Sequence, residues 1–316
     1  MIYCLVLTIV IGSDTLQRMK KYVATLGILC SAGAAQALDC AYQLPESGLL
    51  PSAASLTIWS DVSERHGKAS SLGLQEYNLV IPFSDPRRTH FGKWAFNAEL
   101  DMSLTTIHTS GSLEMHHDEL YSASLPLTVL RSLPEGRRVS MTLIANYATD
   151  LSAQWDGLDV GGAAMYRMKH TDTFSFSAGL LVMPQRLEYG LAPYFKAEWK
   201  PTQDWNITLK GYNLEALYSI TPRLAAGPFI MGEGNTWAVR TRRGTELFSV
   251  RSLVAGVTAE YDFSEAGQTK RIVKAQLGST LATTARFQRL DSGKHTNELH
   301  HYHPGFYASV AVDFRF

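Results

Sequence analysis

Histidines and carboxylates crowd together at two places in this sequence. His116 and His117 stand beside Glu114, Asp118 and Glu119, and His295, His300, His301 and His303 stand beside Glu298. Imidazole and carboxylate groups at this density suit Zn²⁺, Cu²⁺ or Ni²⁺. The spacing of His301 and His303 would put two rings on one face of a strand. The candidate metal ligands are therefore His116, His117, His300, His301 and His303. Neither group has the ligand spacing of a structural zinc site, so the competing reading is a set of solvated loop histidines, and no bound cofactor is expected. A second chemistry, acyl hydrolysis by a serine and histidine, has one candidate in His108 with Ser110 or Ser112 nearby. No serine elbow or phosphate-binding glycine loop accompanies it. Neighbours in sequence do not by themselves make a triad, so no catalytic residue is assigned and no enzyme activity is expected.

A larger set of charges falls into rows. Lys93, Arg167, Lys169, Lys196, Lys200, Lys210, Lys274 and Arg315 are answered by Glu99, Asp101, Asp159, Glu198, Glu260, Asp262 and Asp313. The positions between them in their segments are predominantly apolar. Such rows would line an enclosed polar interior, either a hydrated passage or a narrow core knitted by ion pairs.

Strands are the elements that would place these rows. In residues 93 to 104, Trp94, Phe96, Ala98, Leu100, Met102 and Leu104 share one face, while Lys93, Ala95, Asn97, Glu99, Asp101 and Ser103 share the other. The same division recurs at residues 194 to 200 and 253 to 263. Period-two alternation is the mark of a strand with two unlike faces. Segments of about ten residues match a tilted barrel strand crossing the hydrocarbon layer, which needs about 9–11. Trp94, Trp199, Trp205, Tyr261 and Phe263 sit near strand ends, where a membrane barrel carries its aromatic girdles. A soluble β-sandwich accounts for any one such strand but gives no reason for aromatic residues at their ends.

Bulk composition does not decide between these readings. The chain is 18% charged with a formal net charge of zero, and its mean hydropathy is −0.08. A barrel averages apolar exterior against polar interior and gives such a value as readily as a soluble globule does. There is no basic excess to attract nucleic acid.

Near the start, Met19, Lys20 and Lys21 precede an apolar stretch from Tyr22 to Ala35 and then Ala35-Gln36-Ala37. This is the pattern of a cleaved secretory signal peptide, so export through the Sec pathway is expected. Residues 1 to 37 are assigned to it, with Met19 as the expected initiator and residues 1 to 18 as an over-extended start. Cleavage would leave Cys40 as the only cysteine and no intramolecular disulfide.

The expected fold is all-β: a transmembrane antiparallel up-and-down β-barrel of about fourteen strands, with twelve as the alternative. It covers residues 54 to 316 after a periplasmic segment of residues 38 to 53. Asn213, as a tight hairpin within residues 205 to 220, separates the two counts. Counting back from Phe316 puts inner turns at 264 to 269, 221 to 223, 201 to 204, 170 to 172 and 133 to 138. Outer loops then fall at 287 to 303, 232 to 250, 152 to 157 and 109 to 118.

The last segment, with Phe306, Ala308, Val310, Val312, Phe314 and Phe316 alternating with Tyr307, Ser309, Ala311, Asp313 and Arg315, resembles the C-terminal strand of outer-membrane proteins. That resemblance implies that the barrel-assembly machinery reads Phe306, Phe314 and Phe316. From residue 77 to 231 the order of motifs resembles an uncharacterised family of outer-membrane barrels from Gram-negative bacteria. These motifs are "IPF", "ATD" at 148 to 150, "YFKAEWKPTQDWNITLKG" at 194 to 211, and "ALYSITPRLAAG" at 216 to 227. The resemblance implies an outer-membrane location with lipid as the surrounding partner, and it carries no catalytic residue. The expected function is a passive pore for small solutes. A closed structural or surface-interaction barrel is the alternative, and a lipid-active enzyme comes third. The oligomeric state is open.

Overall fold

The structure is a computed structural model describing residues 51–65, 70–83, 90–91, 94–110, 115, 117–183, 191–265, 270–289 and 298–315. The expected leader and most of the segment of residues 38 to 53 lie outside these.

Among the described residues sixteen strands follow one another: β1 (Pro51–Ser63), β2 (Ser71–Pro82), β3 (His90–Phe91), β4 (Trp94–Ser110), β5 (Glu119–Ser132), β6 (Arg138–Thr149), β7 (Leu158–Lys169) and β8 (Phe174–Val182). Then come β9 (Leu191–Trp199), β10 (Trp205–Lys210), β11 (Asn213–Ser219), β12 (Leu224–Thr241), β13 (Gly244–Asp262), β14 (Lys270–Arg289), β15 (Glu298–Tyr302) and β16 (Gly305–Arg315). β3 is a two-residue flap paired with the start of β4. β15 and β16 both pair with β14 and are one stave interrupted at His303 and Pro304. Fourteen staves therefore form the ring. Each pairs antiparallel with its chain neighbour, and β1 closes on β16 from Pro51↔Arg315 to Trp59↔Tyr307. Closure leaves no strand edge in the wall, the condition for a sheet to sit in lipid, where nothing else satisfies backbone N–H and C=O groups.

The alternation read from the sequence fixes the faces. Tyr77, Leu79, Phe96, Met141, Leu143, Val160, Leu180, Val257, Leu277, Phe306 and Val310 are large apolar side chains exposed on the outside. Their chain neighbours turn inward. At one rim the outward residues are aromatic: Phe83, Trp94, Tyr218 and Tyr261 are exposed there. The Arg131 guanidinium lies 5.3 Å from the centroid of the Trp94 ring, and Trp205 packs 5.3 Å from Tyr218. This turn rim carries residues 133 to 137, 170 to 173, 200 to 204, 220 to 223 and 263 to 265. The opposite, loop rim carries the β6–β7 connection and the β12–β13 hairpin.

Fourteen staves rather than twelve result from the hairpin at residues 211 and 212. There Lys210 pairs with Asn213, and Gly211 takes φ of +56°, a left-handed conformation that glycine adopts without steric cost. Two of the expected outer loops are instead sheet. Residues 232 to 250 continue β12 and β13, paired without interruption to Thr241↔Gly244. β14 likewise runs on to Arg289 against β15. β12, β13 and β14 have 18, 19 and 20 residues, whereas β10 and β11 have 6 and 7. At about 3.3 Å per residue, the long staves overshoot the short ones by about ten residues.

The overshoot bends along a crease. Pairing of β1 with β2 shifts register between Trp59 and Val62, and pairing of β13 with β14 shifts between Leu253 and Val254, leaving Leu281 unpaired. The stave of β15 and β16 breaks at the same level, where Gly305 donates its N–H to Thr280 Oγ1 at 2.7 Å and Phe306 donates to Ser60 Oγ at 2.9 Å. Extra residues of this kind bend a strand and raise its twist. On β12 the level falls at Gly232, opposite Leu253. Just beyond it, a Cβ at Gly234 would lie 2.3 Å from the carbonyl oxygen of Val250, so only glycine permits the approach.

Candidate functional site: the barrel interior

Beyond the crease, β12 and β13 fold across the mouth. Ala238 of β12 pairs with Thr149 of β6 in a parallel bridge, although β7 to β11 stand between those two staves in the ring. Asp150, just past β6, makes the attachment. Its N–H donates to the Ala238 carbonyl at 3.1 Å, and its Oδ2 accepts the Arg240 N–H at 2.9 Å. Its Oδ1 accepts the N–H groups of Ser152 and Ala153 at 2.9 and 3.1 Å. Asp150 is only 3% exposed. One carboxylate thus organises its own loop and holds the overhang to the opposite wall. Ala153 packs on Ala238 and Leu247 above the mouth.

Beneath the overhang the interior is filled by apolar and aromatic side chains. Trp237, Val239, Phe248 and Val250 meet Trp59, Leu72, Leu74, Ile107, Leu120, Phe229, Met231, Phe287, Tyr302 and Tyr307 in one buried cluster. Trp237 stacks on Phe248 at 6.2 Å and Phe248 packs on Phe287 at 4.7 Å. Burial of these large side chains stabilises the overhang by roughly 1.5–3 kcal/mol each.

Toward the turn rim the interior becomes polar, in three groups. In the first, Glu198 accepts from Arg167 at 2.9 Å and from Lys196 at 2.8 Å, with the Ser175 hydroxyl at 3.0 Å. In the second, Lys274 bridges Glu215 at 2.5 Å and Glu260 at 3.3 Å, tying β11 to β13 and β14. The third is acidic. Glu76 accepts from Thr105 at 3.2 Å, Glu233 accepts from the Tyr307 hydroxyl at 3.3 Å, and Asp101 accepts from Asn78. Glu76 interacts electrostatically with Asp101 and Glu233, and Glu99 interacts with Asp101 and Lys210. Glu76, Glu99, Asp101 and Glu233 retain partial exposure inside a closed wall, so they border open interior space.

By register, Glu99, Asp101, Asp159, Arg167, Lys196, Glu198, Lys210, Glu260, Asp262, Lys274 and Asp313 all belong to the inward face. Arg315 holds an inward register position opposite Lys270, and Lys93 lies outside the described residues. Lys200 is a correction. β9 ends at Trp199, and Lys200 is exposed in the turn, its N–H bonded to the Thr173 carbonyl. Lys169 and Asp262 are spent at the turn rim. Lys169 pairs with Asp172 at 2.7 Å and holds that carboxyl below the usual range. Asp262 accepts from the Ser264 N–H and hydroxyl at 3.0 and 2.5 Å.

The histidines are not brought together. His300 and His301 are successive residues of β15 and so point to opposite faces. His300 turns inward to Glu64, Nδ1 to Oε1 3.0 Å, while His301 and His303 are exposed. His117 is exposed in the β4–β5 connection, and His116 lies outside the described residues. Among the described residues no three His, Cys, Asp or Glu side chains are grouped to hold a metal ion. Glu64 has another role. The Ser70 hydroxyl donates to it at 2.5 Å and holds its carboxyl below the usual range, against an opposing effect of burial and with His300 adding to the lowering. His108 and Ser110 share the outward face of β4, where Ser110 bonds to Ser71 at 2.8 Å. Ser112 and Phe316 lie outside the described residues, and Phe306 and Phe314 hold outward register positions.

Sequence reasoning missed Asp150, Glu76, Glu215 and Glu233. Glu76 was legible, since Glu76, Asn78 and Val80 alternate with Tyr77, Leu79 and Ile81. Glu233 was hidden because residues 232 to 250 read as a loop, although Trp237, Val239, Phe248 and Val250 signal a buried hairpin. Asp150 carries no signal in its neighbours.

No protein-family model matches the chain, and no curated protein matches it. The solved structures it is similar to are outer-membrane barrel proteins of Gram-negative bacteria. The toluene transporter TodX of Pseudomonas putida aligns at 9% identity over 86% of this chain and 90% of its own, with a TM-score of 0.34. OccK5 (OpdH) of Pseudomonas aeruginosa aligns at 10% identity over 85% of this chain and 100% of its own, with a TM-score of 0.32. The β domain of the Bordetella autotransporter BrkA aligns at 10% identity over 84% of this chain and 100% of its own, with a TM-score of 0.26.

Proposed function

We propose that the chain is an integral barrel of a Gram-negative outer membrane and acts as a gated channel for small solutes, resting closed. The lipid location is supported by the closed wall and its exposed apolar exterior above an aromatic rim. The gate is the β12–β13 overhang. The observation that carries this reading is a charged interior covered toward the loop rim by a hairpin whose far end is held by one carboxylate. A structural seal with no other task would not need partly exposed carboxylates beneath it.

The second reading is a permanently closed structural barrel, favoured by the buried aromatic cluster under the overhang. Single-channel recording in planar bilayers separates the two. The channel reading expects brief openings of the native protein and long ones once the Asp150 attachment is weakened. A sealed bilayer in both cases, with correctly folded protein, selects the structural barrel.

A further inference from the structure

The corner where the overhang meets the opposite wall carries two exposed apolar side chains. Trp155, in the short turn between β6 and β7, is 80% exposed, the most exposed large apolar side chain among the described residues. Leu151, in the same connection, is 57% exposed. Leu151 also holds a left-handed backbone, with φ of +65°, which bulky side chains adopt only under constraint. The constraint is local. The Leu151 N–H is bonded to Thr149 Oγ1 at 3.1 Å, and Asp150 holds the next two N–H groups. The contacts that latch the hairpin therefore also fix the loop that presents both apolar side chains outside.

These side chains stand at the upper edge of the apolar exterior. Below them, Leu158 and Val160 of β7 are exposed on the outside, and Tyr147 of β6 opposes Leu158 on the same face. From Tyr166, exposed outside toward the turn rim, to Leu158 the rise along β7 is about 26 Å at about 3.3 Å per residue. A strand tilt of about 40° reduces this to about 20 Å of depth. The apolar band of an outer-membrane barrel is about 25 Å tall, so the connection above Leu158 lies at the boundary between acyl chains and headgroups. Tryptophan is enriched at that boundary.

The hairpin brings charge to the same corner. Arg240 shares a face of β12 with Ala238, which packs on Ala153, and its N–H is bonded to Asp150. Arg240 and Arg242 are exposed, Arg243 is paired with Glu246, and Asp156 is the exposed acid of the connection. Guanidinium groups bind phosphate oxygens through a planar fork of N–H donors. A soluble anion would use the arginines and leave the indole in water, whereas a lipid uses both.

We propose that a lipid with an anionic phosphate headgroup binds at this corner, the phosphate on Arg240 and Arg242 and the chains against Trp155, Leu151 and Leu158. The arginines come from the overhang and the apolar side chains from the opposite wall, so the site is complete only while the hairpin is docked. A ligand that binds one state shifts the balance toward it, so the bound lipid stabilises the closed gate. The inference rests on the membrane and channel reading and adds a regulator to it.

The test is fluorescence quenching in detergent micelles carrying brominated-chain phosphatidylglycerol or brominated-chain phosphatidylcholine. The Trp155 signal is the difference between the native protein and Trp155→Phe. Saturable quenching of that signal is expected, at lower concentrations of phosphatidylglycerol than of phosphatidylcholine. Arg240→Gln combined with Arg242→Gln should reduce this preference about fivefold or more, the contribution of one basic residue near an anionic surface. Gly234→Val retains every site residue while blocking closure of the hairpin, and should show the same loss. Heat-modifiable gel migration checks that each variant is folded. Equal affinity for the two lipids, an unchanged preference in either folded variant, or reversal of the quenching by millimolar inorganic phosphate overturns the proposal. A fluorophore on a single cysteine at Val310, exposed on the outside of β16, separates the failures. Quenching at Val310 without quenching at Trp155 removes this inference alone, and quenching at neither removes the membrane reading with it. A barrel that shows the lipid preference but never conducts removes the channel reading alone.

Discussion

Replacing Asp150 with asparagine probes the overhang without changing side-chain size. The carboxylate now serves two sides: Oδ2 takes the Arg240 N–H of the overhang, and Oδ1 takes the Ser152 and Ala153 N–H groups of its own loop. An amide has one acceptor oxygen. In either flip, one side meets an NH₂ group and loses its bond. A hydrogen bond to a charged group contributes about 1.5–3 kcal/mol, and Asp150 is almost wholly buried, so water offers little replacement. If that difference falls on the closed state alone, the open fraction rises about 10- to 150-fold. The Ala238 carbonyl keeps its bond from the Asp150 N–H, so the hairpin is loosened and not released. The assay is single-channel open probability in planar bilayers, with heat-modifiable migration as the check on folding. An open probability equal to that of the native protein in folded Asp150→Asn would refute the attachment as the closing contact.

Three other outcomes follow from the same geometry. Leu277 faces outward, 59% exposed, in the middle of β14. Leu277→Arg should cost about 2–4 kcal/mol in urea titrations of folding into lipid vesicles, whereas a change near the roughly 0.5 kcal/mol of a water-facing site would count against a lipid exterior. Gly234→Val should prevent β12 from closing on β13 at the crease, because its Cβ would meet the Val250 carbonyl. Limited proteolysis should then cut between residues 235 and 250, and protection equal to native would contradict the crease. Glu64 has a lowered carboxyl pKa from its Ser70 and His300 contacts. Its stabilisation is present above the unfolded value and disappears as pH falls through the folded one. Native protein should lose more stability than Glu64→Gln between about pH 6 and pH 3, and parallel profiles would remove that tie from the loop rim.

What the sequence discloses follows from the range of its physical signals. Stave identity rests on period-two alternation, a local property, and the faces of β4, β9, β13 and β16 emerge in the register read from residue order. The aromatic rim is equally local. The overhang is different. Residues 236 to 241 and 246 to 250 are buried on both faces, Arg240 excepted, because each face meets a partner far away in the chain: Trp237 joins Ile107 and Trp59 in the lumen cluster, and Ala238 joins Ala153 above the mouth. A segment in which Thr236, Arg240, Glu246 and Ser249 interrupt the apolar residues reads as a loop when its partners are unknown. The histidine cluster misleads for the opposite reason. Closeness in sequence suggested a shared ligand, whereas strand geometry sends His300 and His301 to opposite sides of the wall.

The central claim is that neighbouring residues of one stave face lipid and lumen in turn. Single cysteines at Ser309 and Val310 of β16, in a background lacking Cys4, Cys30 and Cys40, can carry a small fluorophore, with the protein folded into vesicles of brominated-chain lipid. Strong quenching at Val310 and little at Ser309 is expected. Equal quenching at both positions, or none at either, would contradict the account.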